Sequence, residues 1–92
     1  MLGQEYDMEM LYQEIAEEFG SDDLTEHYGQ WQGLELHVYQ NKNNVTFHLF
    51  NSYCDNIGNL TKSQFLALKN GERLSRYLDK VWTYNLMEVG RF

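Results

Sequence analysis

The chain contains no proline, and Cys54 is its only cysteine. A single cysteine excludes an intrachain disulfide and a multi-cysteine zinc site, so Cys54 reads as a small, partly buried hydrophobe. The missing proline argues against a hinge-and-linker construction. No stretch approaches the apolar length that spans a bilayer. The first twenty residues carry acids and no basic n-region, so they do not read as a secretory signal. These features together lead us to expect a reduced, cytoplasmic protein.

Basic residues are absent from the first part of the chain. Lys42 is the first, and ten acids precede it: Glu5, Asp7, Glu9, Glu14, Glu17, Glu18, Asp22, Asp23, Glu26 and Glu35. Residues 1–41 therefore carry a charge of −10, and residues 42–92 carry +3, within a total of −7. Such a field repels nucleic acid and anionic membranes and attracts basic surfaces. A charge run is often only a solvated face that aids solubility. Placement argues for more than that. Glu17 and Glu18 fall at the end of a predicted helix, where the helix dipole disfavours acids. Glu14 and Glu18 form a like-charge pair at four-residue spacing.

Motifs for familiar chemistry are also missing. There is no phosphate-binding glycine loop, no dinucleotide fingerprint, no nucleophile elbow and no H-E-x-x-H. Asp22-Asp23 and Glu17-Glu18 are adjacent pairs that do not suggest one acid with a raised pKa. The residues around Gly58 faintly echo a calcium loop. Tyr53, Ile57 and Gln64 occupy positions where ligand oxygens or the bidentate Glu are needed, so calcium binding is rejected. Asn44-Val45-Thr46 and Asn59-Leu60-Thr61 fit the glycosylation triplet, which also arises often by chance. No cofactor is implied, and the chain reads as a non-enzyme.

What is present is enough apolar and aromatic residue, 42% and 15%, for one packed domain over residues 1–92. Tyr6 to Phe19 reads as an amphipathic helix, with Met8, Leu11, Tyr12, Ile15 and Phe19 on one face and Gly20 as its stop. Ser21 could cap a short second turn running through Leu24 to Tyr28. Leu34 to Phe50 reads as a β-hairpin around the turn Asn41 to Asn44. Leu36 and Val38 face one side, with Val45, Phe47 and Leu49 opposite them. Glu35, His37, Tyr39, Thr46, His48 and Phe50 take the other side. A third strand is expected near Asn51–Cys54 or Val81–Val89. Thr61 and Gln64 suggest a capping box that opens a helix ending at Asn70-Gly71. A further helix is expected from Glu72 to about Trp82, followed by a tail from Tyr84 to Phe92 that could dock as a strand. The expected fold is α+β: a small antiparallel sheet built on the hairpin 34–50, with an N-terminal helix and two C-terminal helices on one face.

Pairing Val38 with Phe47 and Leu36 with Leu49 also sets His37 opposite His48, with Glu35 close by. Two imidazoles and a carboxylate can hold a metal in principle. With no fourth ligand, the preferred reading is a polar sheet surface, and no metal site is assigned. Lys62, Lys69, Arg73, Arg76 and Lys80 could form a modest basic patch, but the total charge opposes direct nucleic-acid binding.

A short acidic α+β chain with a one-sided negative segment and no catalytic motif looks like the small phage-encoded inhibitors of bacterial defence, especially anti-CRISPR proteins. It is similar in the same way to immunity and antitoxin proteins that neutralise nucleases. The resemblance is one of size, charge and architecture and involves no shared motif. It implies that the chain acts in a host cytoplasm and occupies the nucleic-acid groove of a basic host protein, such as a CRISPR effector nuclease, with carboxylates standing in for phosphates. The expected contact residues are Glu14, Glu17, Glu18, Asp22, Asp23 and Glu26, with Tyr28, Trp31 and Tyr39 as aromatic anchors. The competing expectation is a homodimer or a phage-particle contact, in which the acids only keep the chain soluble.

Overall fold

The computed structural model describes residues 5–20 and 24–89. The element order is α1 (Met8–Glu18), β1 (Thr25–Trp31), β2 (Leu34–Gln40), β3 (Asn44–Phe50), β4 (Asp55–Thr61), α2 (Lys62–Leu66) and α3 (Gly71–Val89). The strands form an antiparallel meander in the order β1-β2-β3-β4. This is the expected α+β arrangement, with a larger sheet than the hairpin alone.

The expected hairpin register is the observed one: Val38 pairs with Phe47, Leu36 with Leu49, and His37 with His48. The alternation sends Leu36, Val38, Val45, Phe47 and Leu49 to the helix-covered face, where all are fully buried. Each turn has its own chemistry. Gln32 and Gly33 both take positive φ, 51° and 79°, the twist that suits a two-residue hairpin loop. Asn41 and Asn51 build the next two turns alike, each accepting through Oδ1 two backbone N–H bonds of 2.8–2.9 Å.

Helix starts are capped by side chains. Asp7 Oδ1 accepts from the amides of Glu9 and Met10 at 3.0 and 3.3 Å. Thr61 and Gln64 form the expected capping box, with bonds of 2.9 and 3.2 Å in the two directions. The core then closes around Phe65, which stacks on Tyr12 at 4.6 Å and packs against Phe19 and Phe47. Leu11 and Ile15 of α1 and Leu74 and Leu78 of α3 complete it.

Three expectations are corrected. The turn expected through Leu24 to Tyr28 is instead strand β1 from Thr25 onward. Its alternation is masked because the core-facing positions are Thr25, His27, Gly29 and Trp31, only one of them strongly apolar; Ser21 lies outside the described residues. The additional strand is neither Asn51–Cys54, which is a turn, nor Val81–Val89, which is helix. It is β4, whose core-facing positions Asn56 and Gly58 hide its period. The tail from Tyr84 continues α3 through Val89 because nothing in the sequence breaks the helix there; residues 90–92 lie outside the description.

Candidate protein-binding surface

The helices cover one face of the sheet, and no described helix covers the other. Strand alternation places on this open face Glu26, Tyr28 and Gln30 of β1, Glu35, His37 and Tyr39 of β2, Thr46, His48 and Phe50 of β3, and Asp55, Ile57 and Asn59 of β4. Tyr28 and Ile57 are the most open apolar groups here, at 55% and 61% exposure. Rings meet across the strands. Tyr28 sits edge-on to His37 at 4.6 Å, His37 edge-on to Phe50 at 4.9 Å, and Phe50 stacks on His48 at 4.5 Å. Tyr39 joins from the side, its hydroxyl 3.3 Å from His37 Nδ1.

Each ring neighbourhood has its own carboxylate. Tyr28 donates its hydroxyl hydrogen to Glu26, and that bond to an anion is the main cause raising its pKa to about 12. His37 Nε2 lies 3.9 Å from Glu35, and His48 Nε2 bonds Asp55. The two imidazoles are 6.3 Å apart and perpendicular, and each turns Nε2 to a different carboxylate. Among the described residues, no three His, Cys, Asp or Glu side chains converge to hold a metal ion.

The second acidic region is the outer face of α1. His27 points the other way from Tyr28 and fits between β1 and α1, its ring nitrogens 3.1 Å from Glu18 and 3.8 Å from Glu14. Its side chain is 12% exposed, so it fastens the end of α1 to the edge strand. Glu14 and Glu18, the like-charge pair at four-residue spacing, thus both approach this one ring. The two regions meet beside β1 in a shallow open groove lined by Glu14 and Asp7 on the helix side and by Tyr28 on the sheet side. Tyr6 lines the same groove. Burial and the charge of Glu14 raise its hydroxyl pKa to about 12.

Of the expected contact residues, Glu14, Glu17 and Glu18 lie on α1, and Glu26, Tyr28 and Tyr39 lie on the open face. Asp22 and Asp23 fall outside the described residues. Trp31 is a correction. It is 3% exposed and donates its indole N–H to Ser75 Oγ at 3.4 Å, so it is a core residue and not a surface anchor. It faces the core because it stands an even number of residues from His27 and Gly29 along β1. Phe50, His48, Ile57 and Asp55 were not among the expected contact residues. For Phe50 and His48, the hairpin alternation already assigned the non-core face. Ile57 and Asp55 required strand β4.

The chain matches no protein-family model, no curated protein and no solved structure.

Proposed function

We propose that the protein works by binding, and that it blocks a basic nucleic-acid-binding protein by presenting carboxylates where that protein expects phosphates. One observation carries the reading. Among the described residues the only Lys or Arg ion pair is Arg76–Glu72, so Glu14, Glu17, Glu18, Glu26 and Glu35 have no Lys or Arg partner among them. Carboxylates held on a helix and a sheet without such counter-charges form a preorganised anionic surface. That surface attracts cationic grooves at long range and bonds their Arg and Lys side chains at short range. A CRISPR effector nuclease is one such partner, and a nuclease neutralised by an immunity protein is another.

The test is capture from a bacterial lysate at low salt, elution by salt and identification of the partner. Binding of the purified partner is then measured against salt and against its own nucleic acid. Affinity should fall steeply as salt rises, and nucleic acid and this protein should displace each other. A partner that holds both together would rule out mimicry. A salt-resistant homodimer that ignores basic proteins would replace the reading with an assembly role.

A further inference from the structure

We propose that the open face of the sheet is a docking site for arginine side chains on an extended segment of the protein partner. The inference rests on the binding function above and names the surface and chemistry that would serve it.

The face repeats one arrangement three times, an aromatic ring beside a carboxylate: Tyr28 with Glu26, His37 with Glu35, and His48 with Asp55. A guanidinium matches both parts. Its plane stacks on a ring, and its fork of N–H donors reaches a carboxylate at the ring's edge. A lysine ammonium is a strongly hydrated point charge and makes only the ionic half of that contact. The strands themselves carry no Lys or Arg at any paired position, so none competes from within the sheet. The rings are already held edge-on and stacked against one another, so little side-chain order is lost on docking.

Two other occupants fit less well. Four-stranded antiparallel sheets with exposed aromatics can stack nucleobases. Here Glu26, Glu35 and Asp55 would face the phosphates that accompany those bases, and repulsion opposes them. A second copy of the chain would bring the same three carboxylates against each other with no cation between them.

The probes are a short peptide of arginines spaced by serine, the same peptide with lysines, and a single-stranded oligonucleotide. Affinity is read by calorimetry on the wild-type chain and on Tyr28→Ala, Glu35→Gln and Glu17→Lys variants. Tyr28 is exposed, so its truncation leaves the core intact; Glu35→Gln keeps shape and removes charge. The arginine peptide should bind about fivefold or more tighter than the lysine peptide, the size of one to two cation–π contacts. Tyr28→Ala and Glu35→Gln should each erase most of that preference. Equal affinity for the two peptides, unaffected by Tyr28→Ala but lost in Glu17→Lys, would overturn this inference and leave the acidic-binder function standing. Tight oligonucleotide binding would overturn both. No binding of either peptide would overturn this inference alone, provided the captured partner still binds.

Discussion

Gly71 donates its backbone N–H to the Glu9 carboxylate at 3.1 Å, and its Cα lies so close to the Met8–Glu9 backbone that a methyl group there would overlap it. The starts of α1 and α3 therefore meet at a point where only hydrogen fits. Helix propensity alone favours Ala over Gly by about 1 kcal/mol inside a helix. Backbone cannot yield as a flexible side chain can, so the steric term dominates. Gly71→Ala should lower stability by about 1–3 kcal/mol, which corresponds to a fall of roughly 4–8 °C per kcal/mol in a domain of this size. Thermal unfolding followed by circular dichroism reads the sign. An alanine variant that melts higher than wild type would show that the helices are not in such close contact.

Gln40 supports the opposite end of α1. It is 2% exposed, and its Nε2 donates to the Ile15 carbonyl at 3.0 Å. The Phe19 amide turns to Ala16 at 3.4 Å, so the Ile15 carbonyl has no helical partner of its own. Gln40→Ala should cost about 1–3 kcal/mol by stranding that carbonyl and emptying the site. Gln40→Leu should recover part of the loss, since it refills the space and removes a buried Gln40 Oε1 that lacks a partner. Urea midpoints of the two variants make the comparison. An unchanged midpoint for the alanine form would mean that this bond contributes nothing net.

The tyrosines define an alkaline limit. Tyr6 and Tyr28 have hydroxyl pKa values raised from 10.0 to about 12, Tyr6 chiefly by burial and Tyr28 chiefly by its bond to Glu26; burial also raises Tyr77. A phenol whose folded pKa is raised favours the folded state while it stays protonated. That contribution is fully present below pH 10 and is lost as pH rises toward about 12. Ultraviolet titration should therefore show late-ionising phenols, one of which disappears in Tyr28→Phe. Unfolding stability should hold to about pH 10 and fall above it. A single tyrosine transition near pH 10 would remove the Glu26 bond from the account.

Much of this architecture could be read from residue spacing. The alternation from Leu34 to Phe50 fixed the hairpin, its register and the His37–His48 apposition, because strict period-two patterning leaves one register that buries Leu36, Val38, Phe47 and Leu49 together. The Thr61–Gln64 capping box was equally legible, because it depends on local chemistry alone. The edge strands were hidden for tertiary reasons. Gly58 occupies a core position in β4 because the Tyr77 ring and Val81 lie against it, and His27 occupies one in β1 because Glu14 and Glu18 approach it from α1. Neither neighbour is visible until the helices are placed. Trp31 reads as a surface residue in the sequence for the same reason: without strand β1, its parity has no reference, and only the fold shows it buried. The acids of α1 were legible as charge, but the adjoining ring-and-carboxylate face needed all four strands.

Glu17 separates stability from function. Among the described residues it makes no hydrogen bond or ion pair, whereas its neighbour Glu18 holds His27 at 3.1 Å. The last turn of α1 itself contains no basic residue, and Glu17 and Glu18 stand at the negative end of its dipole. Glu17→Lys reverses an unfavourable placement and should stabilise the fold by about 0.3–1 kcal/mol at low salt. Glu18→Lys should do the opposite, because it breaks the contact with a mostly buried imidazole. If α1 is part of the surface that meets a basic partner, the more stable Glu17→Lys protein should bind that partner more weakly, with a shallower dependence on salt. Thermal unfolding and affinity measured on the same samples decide the matter. A variant that gains stability and keeps its full affinity would mark Glu17 as a solvated acid outside the interface, and would confine recognition to the sheet.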